Sequence, residues 1–246
     1  MNITIDGKSC ACEKGEFLRE VARRNGITIP GLCHHNGLPG QGCCRVCVVE
    51  VVERGVSKIV VSCVYPLNGE CEVYTKNEKV SEQRAMILAL LTKLAPESAE
   101  IAALAKAYGA PELPRLQAAA QGKCMMCGLC ARACKELGAG AISTVNRGIT
   151  KEISTPYHEP NPACIGCGSC AVVCPTKAIA MAEQEGKRII WGKEFVLQYC
   201  AKCGAVLGTA EEAAYATQQA GLDASDLCEK CRQKEMAEVL AHTYGR

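Results

Sequence analysis

The 246-residue chain carries the stretch CMMCGLCARAC at residues 124–134 and the stretch CIGCGSCAVVC at residues 164–174. Both have the spacing C-x2-C-x2-C-x3-C, and the second begins 40 residues after the first. Three thiolates two residues apart can wrap one corner of a cubane in a tight loop, which is typical of [4Fe–4S] sites. Zinc sites instead place two ligands close together and two far away. The repeat therefore predicts two [4Fe–4S] clusters.

The fourth cysteine of each run is expected to bind the neighbouring cluster, because three residues separate it from the third cysteine and it points the other way. The predicted ligands of the first cluster are Cys124, Cys127, Cys130 and Cys174. The predicted ligands of the second cluster are Cys164, Cys167, Cys170 and Cys134.

The amino-acid composition argues against several classes of protein. The chain has 20 cysteines, 48% hydrophobic residues and a net charge of +2. These values exclude a disordered chain and give no electrostatic reason to expect nucleic-acid binding. Residues 1–8 show neither the basic nor the apolar region of a signal peptide, and the apolar run at residues 85–91 is too short to span a membrane. We therefore expect a cytoplasmic protein whose cysteines bind metal rather than form disulfides.

Residues 1–78 have the pattern of a β-grasp domain. A hairpin is predicted around Asp6-Gly7, a helix at residues 16–25, and strands at residues 46–52 and 58–64 that are joined at Arg54-Gly55. Four cysteines in this segment are spaced C-x10-C-x2-C-x15-C. A plant-type [2Fe–2S] site has a shorter interval between its first two ligands.

The stretches IPGLC at residues 29–33, GCCRVC at residues 42–47 and SC at residues 62–63 resemble the [2Fe–2S] domain in the large iron–sulfur subunit of complex I. The same domain occurs in NAD-linked [FeFe] hydrogenases and NAD-dependent formate dehydrogenases, and residues 123–182 resemble their two-cluster segment. The ligands that this resemblance implies for a [2Fe–2S] cluster are Cys33, Cys44, Cys47 and Cys63. Cys43 is either a free thiol or an alternative ligand.

The segment at residues 79–122 contains neither His nor Cys, although relatives often carry an extra cluster there. It is predicted to be a spacer of two helices. The first helix is expected from Ser81, as its N-cap, to Leu94, and the second from Pro96 to Gly109.

Residues 183–246 are predicted to form a zinc-ribbon-like module with two C-x2-C knuckles. The knuckle residues are Cys200, Cys203, Cys228 and Cys231. This quartet suits a zinc ion, and the alternative is a third [4Fe–4S] cluster. Thr209 and Glu212 form a capping box that opens a helix between the knuckles, and Gly221 closes it. Cys10, Cys12 and Cys71 are expected to be ordinary strand residues.

The predicted fold class is therefore α+β. It comprises a β-grasp [2Fe–2S] domain at residues 1–78, a helical spacer, a two-[4Fe–4S] ferredoxin domain at residues 123–182 and a C-terminal metal module with four cysteines.

Three clusters without a G-x-G-x-x-G or Walker A motif predict a non-catalytic electron-transfer subunit of a larger oxidoreductase. A hydride carrier needs a flavin to deliver single electrons, so we expect a flavoprotein partner that binds NAD(P)H and a second redox subunit or ferredoxin. The resemblance includes electron-bifurcating complexes, among them the small iron–sulfur subunit of Stn-type transhydrogenases. The alternative function is an iron–sulfur redox sensor or scaffold protein.

Overall fold

The computed structural model describes residues 1–119, 122–221 and 225–245, and the chain divides into two compact units. The first unit consists of Met1–Arg132 and Val173–Ala178, and the second of Ala133–Val172 and Ile179–Arg246. Cys174 therefore belongs to the first unit and Cys134 to the second, which places the fourth cysteine of each run with the other run.

The first unit begins with the predicted β-grasp. Its strands are β1 (Asn2–Ile5), β2 (Lys8–Ala11), β3 (Val48–Glu53), β4 (Val56–Val61) and β5 (Glu72–Tyr74), and its helix is α1 (Leu18–Arg24). The sheet order is β2-β1-β5-β3-β4, with β1 and β5 parallel. The hairpin turns Asp6-Gly7 and Arg54-Gly55 have positive φ at both residues, as tight two-residue turns require. The sequence prediction of this fold is confirmed.

The spacer is helical, but its helices do not begin at the predicted residues. Helix α2 (Glu78–Leu94) starts after Asn77, whose side chain accepts a hydrogen bond of 2.9 Å from the Val80 N–H. Helix α3 (Ala99–Ala107) starts after Ser98, which caps Ile101 in the same way. The predicted starts at Ser81 and Pro96 are therefore wrong. Asn77 and Ser98 each supply a side-chain acceptor to an otherwise unpaired N–H of the first turn.

A hydrophobic core joins the β-grasp, the spacer and the first cysteine loop. Its buried members are Leu32, Cys33, Cys44, Val46, Leu88, Leu91, Ala95, Ile101, Met125, Cys127 and Leu129. Because these residues come from three predicted segments, residues 1–78 and 79–122 and the first cysteine loop fold together as one unit.

Arg84 is 2% exposed inside this unit. Its guanidinium donates hydrogen bonds to the carbonyls of Val46 (3.0 Å) and Val48 (2.7 Å) and lies 5.1 Å from the centre of the Tyr108 ring. Arg84 thus pairs two buried acceptors at the point where β3 follows the cysteine loop.

We expect Arg84→Leu to lower the free energy of unfolding by about 3 kcal/mol, because two buried carbonyls lose their donors. Urea denaturation followed by circular dichroism measures the change. Arg23→Leu is the matched control, since Arg23 is exposed and, among the described residues, forms an ion pair only with Glu20 on the surface of α1. It should cost below about 0.5 kcal/mol. Equal stability of the two variants would contradict the proposed role of Arg84.

The remaining elements lead into and form the second unit. Helix α4 (Leu129–Glu136) starts in the first unit and ends in the second. It is followed by β6 (Ser143–Val145), β7 (Glu152–Ser154), α5 (Ser169–Val172), β8 (Met181–Gln184), β9 (Lys187–Ile190), β10 (Lys193–Tyr199), β11 (Val206–Thr209), α6 (Ala210–Ala220) and α7 (Glu229–Tyr244).

Strands β8 to β11 form one antiparallel sheet in the order β11-β10-β9-β8. The predicted division between residues 182 and 183 falls inside β8, so this sheet includes both ferredoxin and C-terminal residues. Helix α6 has the predicted capping box between Thr209 and Glu212, and Gly221 closes it with φ 64°.

Candidate metal centres

The first three cysteines of the first quartet lie in the loop between α1 and β3, and the fourth follows β4. The thiols of Cys33, Cys44, Cys47 and Cys63 are all buried. Backbone amides point at two of the sulfurs, since the Cys44 N–H donates to Cys33 Sγ (3.3 Å) and the Leu32 N–H donates to Cys44 Sγ (3.4 Å). Buried thiols that receive backbone N–H groups fit ligands whose negative charge must be stabilised away from water.

The four thiols interact in two pairs. A hydrogen bond from Cys44 lowers the pKa of Cys33 to about 7, and one from Cys63 lowers the pKa of Cys47 to about 5. The same bonds, with burial, raise the pKa values of Cys44 and Cys63. A metal centre replaces the protons of the thiols that it binds.

The loop before Cys44 approaches the quartet closely. A Cβ on Gly40 would overlap the Cys63 carbonyl oxygen, so only glycine fits there. Cys43 is exposed, whereas Cys44 is buried beside Cys33. This difference supports Cys44, rather than Cys43, as the ligand.

The two repeated cysteine loops have the same backbone shape. The second residue after the first cysteine has positive φ in both loops, at Met126 (58°) and Gly166 (70°), and so does the residue after the second cysteine, at Gly128 (71°) and Gly168 (76°). The left-handed residues turn amide groups toward the sulfurs, as when the Met126 N–H donates to Cys124 Sγ at 3.4 Å. Tight loops with inward amides suit a cluster that carries negative charge.

The structure also brings together each predicted crossed set. One cavity is lined by four thiols of the second set, Cys134, Cys164, Cys167 and Cys170, and by Ile190 and Trp191. In the first set, burial raises the pKa of Cys127 to about 11 and of Cys130 to about 12, and the electrostatic influence of Cys174 adds to both shifts. These arrangements support the ligand crossing.

The hairpin of β9 and β10, which supports the second cysteine loop, was not predicted from the sequence. Arg188 on β9 donates to the Gly166 carbonyl at 2.8 Å, and Lys193 on β10 donates to the Cys164 carbonyl at 2.9 Å. A Cβ on Gly166 would lie 2.5 Å from the Phe195 ring. The usable signal was the alternating pattern of residues 187–190 and 193–199, with turns at Glu185-Gly186 and Trp191-Gly192, which predicts paired strands.

The C-terminal quartet is the most compact of the four. The sulfurs of Cys200, Cys203, Cys228 and Cys231 all lie within 4.8 Å of one another. The Cys203 and Cys228 sulfurs are 3.6 Å apart, and the Cys228 N–H donates to Cys200 Sγ at 3.3 Å. That backbone hydrogen bond is the main reason why the pKa of Cys200 falls to about 6. The four residues can hold one metal ion.

Three cysteines outside the quartets are buried, but only Cys10 lies in a strand as expected, since Cys12 follows β2 and Cys71 precedes β5. Cys10, Cys12 and Cys71 are buried in the core of the β-grasp, and burial raises the pKa of Cys71 to about 11. A protonated thiol in an apolar core acts as a small hydrophobic residue.

Comparison with known families agrees with this geometry. Residues 1–78 match the 2Fe-2S iron-sulfur cluster binding domain, and residues 163–180 match the 4Fe-4S binding domain. The chain is an iron–sulfur protein. The quartet predicted to bind a [2Fe–2S] cluster lies wholly inside the first match, and the second match contains Cys164, Cys167, Cys170 and Cys174.

The iron–sulfur protein has homologues among subunits of NAD(P)-linked oxidoreductases. It is 32% identical over 215 residues to the NADP-reducing hydrogenase subunit HndD of Solidesulfovibrio fructosivorans, and the match covers 74% of this chain and 36% of that subunit. It is 25% identical over 205 residues to the mitochondrial NADH-ubiquinone oxidoreductase 78 kDa subunit of Candida albicans, and the match covers 73% of this chain and 28% of that subunit. The predicted resemblance to complex I and to NAD(P)-linked hydrogenases is confirmed.

A solved structure of similar fold is the NAD+-reducing [NiFe]-hydrogenase in its H2-reduced state. The TM-score is 0.55 at 27% identity, and the match covers 63% of this chain and 74% of the other. The iron–sulfur protein spans about a third of the length of the two relatives named above. Within the residues that the structure describes, no helix has the length and apolarity needed to cross a membrane.

Proposed function

We propose that the iron–sulfur protein is a non-catalytic electron-transfer subunit of an NAD(P)-linked oxidoreductase complex. It relays single electrons between a partner that binds flavin and NAD(P)H and another redox subunit or a ferredoxin. The observation that carries this proposal is the shared core of the first unit, which contains Cys33 and Cys44 of the [2Fe–2S] quartet and Cys127 of the first cubane quartet.

Arg132 strengthens the connection between these two quartets. It lies on α4, two residues after Cys130, and its guanidinium donates to the carbonyls of Pro39 and of Cys33, the latter at 3.5 Å. The [2Fe–2S] loop is therefore attached both to the first cubane loop, through the core, and to the helix that follows it. A fixed position of one quartet beside the other is what a one-electron relay between two bound clusters requires.

The proposed cofactors are one [2Fe–2S] cluster, two [4Fe–4S] clusters and one Zn2+ ion. The spacing of the C-terminal sulfurs supports zinc rather than a third cubane. A Zn–S bond of about 2.3 Å gives a tetrahedron whose sulfurs are about 3.8 Å apart, close to the 3.6 Å between Cys203 and Cys228. In a cubane each thiolate binds a different iron, so the sulfurs must stand further apart. Among the quartets of the described residues, only this one has all its sulfurs within 4.8 Å.

The proposed partners follow from electron counting and from the relatives. NAD(P)H gives up two electrons as a hydride, whereas iron–sulfur clusters accept one electron at a time, so a flavin must stand between them. The sequence has no dinucleotide-binding fingerprint. The relatives are named as subunits of an NADP-reducing hydrogenase and of an NADH-ubiquinone oxidoreductase, which supports a flavoprotein on a separate chain.

The test is reduction of the anaerobically purified chain, followed by visible absorbance and EPR. We expect dithionite to reduce the clusters and NADH or NADPH alone to leave them oxidised, because no group in the chain is assigned to accept a hydride. Adding the flavoprotein that co-purifies from the native source, with NADH, should then reduce them at least tenfold faster than NADH alone. Reduction of the clusters by NADH without any flavoprotein would contradict the proposal that a separate flavoprotein accepts the hydride.

A further inference from the structure

The turn between β9 and β10 has an unusual first residue. It consists of Trp191 (φ 53°) and Gly192 (φ 71°), and both residues are left-handed as a type I′ hairpin turn requires. Asn, Asp and Gly adopt this conformation readily, whereas a bulky side chain with positive φ is a strained exception. The position of Trp191 is therefore costly and needs a compensating contact.

The other tight turns provide a comparison. The turns Asp6-Gly7, Arg54-Gly55 and Glu185-Gly186 have the same pair of positive φ values, and each begins with an exposed charged residue. Trp191 instead is partly buried, lines the cavity of the second cubane quartet, and places its indole Nε1 at 3.4 Å from Cys170 Sγ. The strained residue is thus the one turn residue of the four that points at a cluster ligand.

We propose that the indole N–H of Trp191 donates a hydrogen bond to the Cys170 thiolate and thereby raises the reduction potential of the second [4Fe–4S] cluster. This inference rests on the proposed function, because it needs that cluster to be bound. Hydrogen bonds to ligand sulfurs are one of the factors that set cluster potentials. Reduction adds negative charge that the thiolates share, so a donor stabilises the reduced state more than the oxidised one.

Neighbouring groups fix the geometry of this donor. Ile190 and Lys193 pair across the turn, so the strand register places Trp191 at its tip. Lys193 holds the Cys164 carbonyl and Arg188 holds the Gly166 carbonyl, which attaches the hairpin to the cysteine loop on both sides of the indole. The hairpin therefore keeps the indole N–H aimed at one sulfur. Trp191 acts on the cluster indirectly, through its hydrogen bond to the ligand Cys170.

The experiment is an EPR-monitored redox titration of the full chain, purified anaerobically, as wild type and as Trp191→Phe. Phenylalanine keeps an aromatic ring and removes the N–H. We expect the ratio of reduced to oxidised second cluster, at a given potential, to fall about tenfold, which is about 59 mV for a one-electron couple. The first cubane should keep its potential and serves as the internal reference.

Tyr199→Phe is the matched control. Tyr199 lies on β10 of the same sheet, is exposed, and is not among the residues that line the cavity of the second cubane quartet. It should leave both cubane potentials unchanged. A Trp191→Phe potential equal to that of Tyr199→Phe would overturn the inference.

A second measurement needs no variant. The chain contains one tryptophan, so feeding indole-15N tryptophan labels the Trp191 side chain alone. We expect an indole 15N coupling in ENDOR spectra of the reduced second cluster and none from the first. Absence of this coupling, in protein that shows both cubane signals, would also overturn the inference. Absence of the cubane signals themselves would instead refute the proposed function, so the two failures are distinguishable.

Discussion

The Cys134→Ser variant is expected to lose the cluster held by Cys164, Cys167 and Cys170 while keeping the cluster held by its own sequence neighbours. The reason is the crossed geometry, in which the Cys134 thiol lines the same cavity as those three thiols. Cys134 Sγ also accepts a hydrogen bond of 3.2 Å from the Ala141 N–H, within the second unit. Iron analysis should show a loss of about four Fe per chain, and EPR should lose one of the two cubane signals.

The reciprocal variant, Cys174→Ser, should remove the first cubane. Cys174 belongs to the first unit, where its neighbour Val173 packs against the core that contains Cys127. Cys43→Ser is the matched control, because Cys43 is an exposed cysteine outside the proposed ligand sets, and it should keep all the iron. If Cys134→Ser lost the first cubane and Cys174→Ser the second, each run would bind its own cluster and the crossing would be wrong.

The second large effect is expected at the C-terminal quartet. The wild-type chain, purified anaerobically, should contain about ten Fe and one Zn. Cys228→Ser should lose the zinc and keep the iron, because Cys228 contributes both a sulfur to the compact quartet and the N-cap position of α7. Metal analysis by mass spectrometry measures both elements in the same sample.

Loss of zinc should also loosen α7. Among the described residues, this helix has no buried residue, and its one ion pair to another element joins Lys202 to Glu235 at 3.0 Å. We therefore expect faster amide hydrogen exchange across residues 229–244 in Cys228→Ser. The control Ser225→Ala lies outside the quartet and should keep both the metal and the slow exchange. About fourteen Fe and no Zn in the wild type would show that the quartet holds a third cubane.

Local sequence rules predicted the two hairpins of the β-grasp and the start of α6. Asp6-Gly7 and Arg54-Gly55 marked turns because two-residue hairpins need positive φ, and Thr209 with Glu212 marked a helix start because both side chains pair unsatisfied N–H groups. The same rules were wrong for α2 and α3, where several residues could serve as the cap. Asn77 caps α2 instead of Ser81, and Ser98 caps α3, which therefore begins after the predicted first residue Pro96. Both caps lie in the unit where α2 and α3 pack against the β-grasp core.

The sequence by itself determined the chemistry of this protein, because cysteine spacing limits which metal centres short loops can wrap. It also determined the β-grasp, since alternating residues and tight turns are local properties. Only the tertiary structure decided which segments share a core, how the sulfurs of the C-terminal quartet are spaced, and that Trp191 reaches Cys170. Those facts depend on contacts between residues about 20 to 100 positions apart, as with Trp191 and Cys170 or Arg132 and Cys33. No local pattern encodes such distances, because packing of the whole unit sets them.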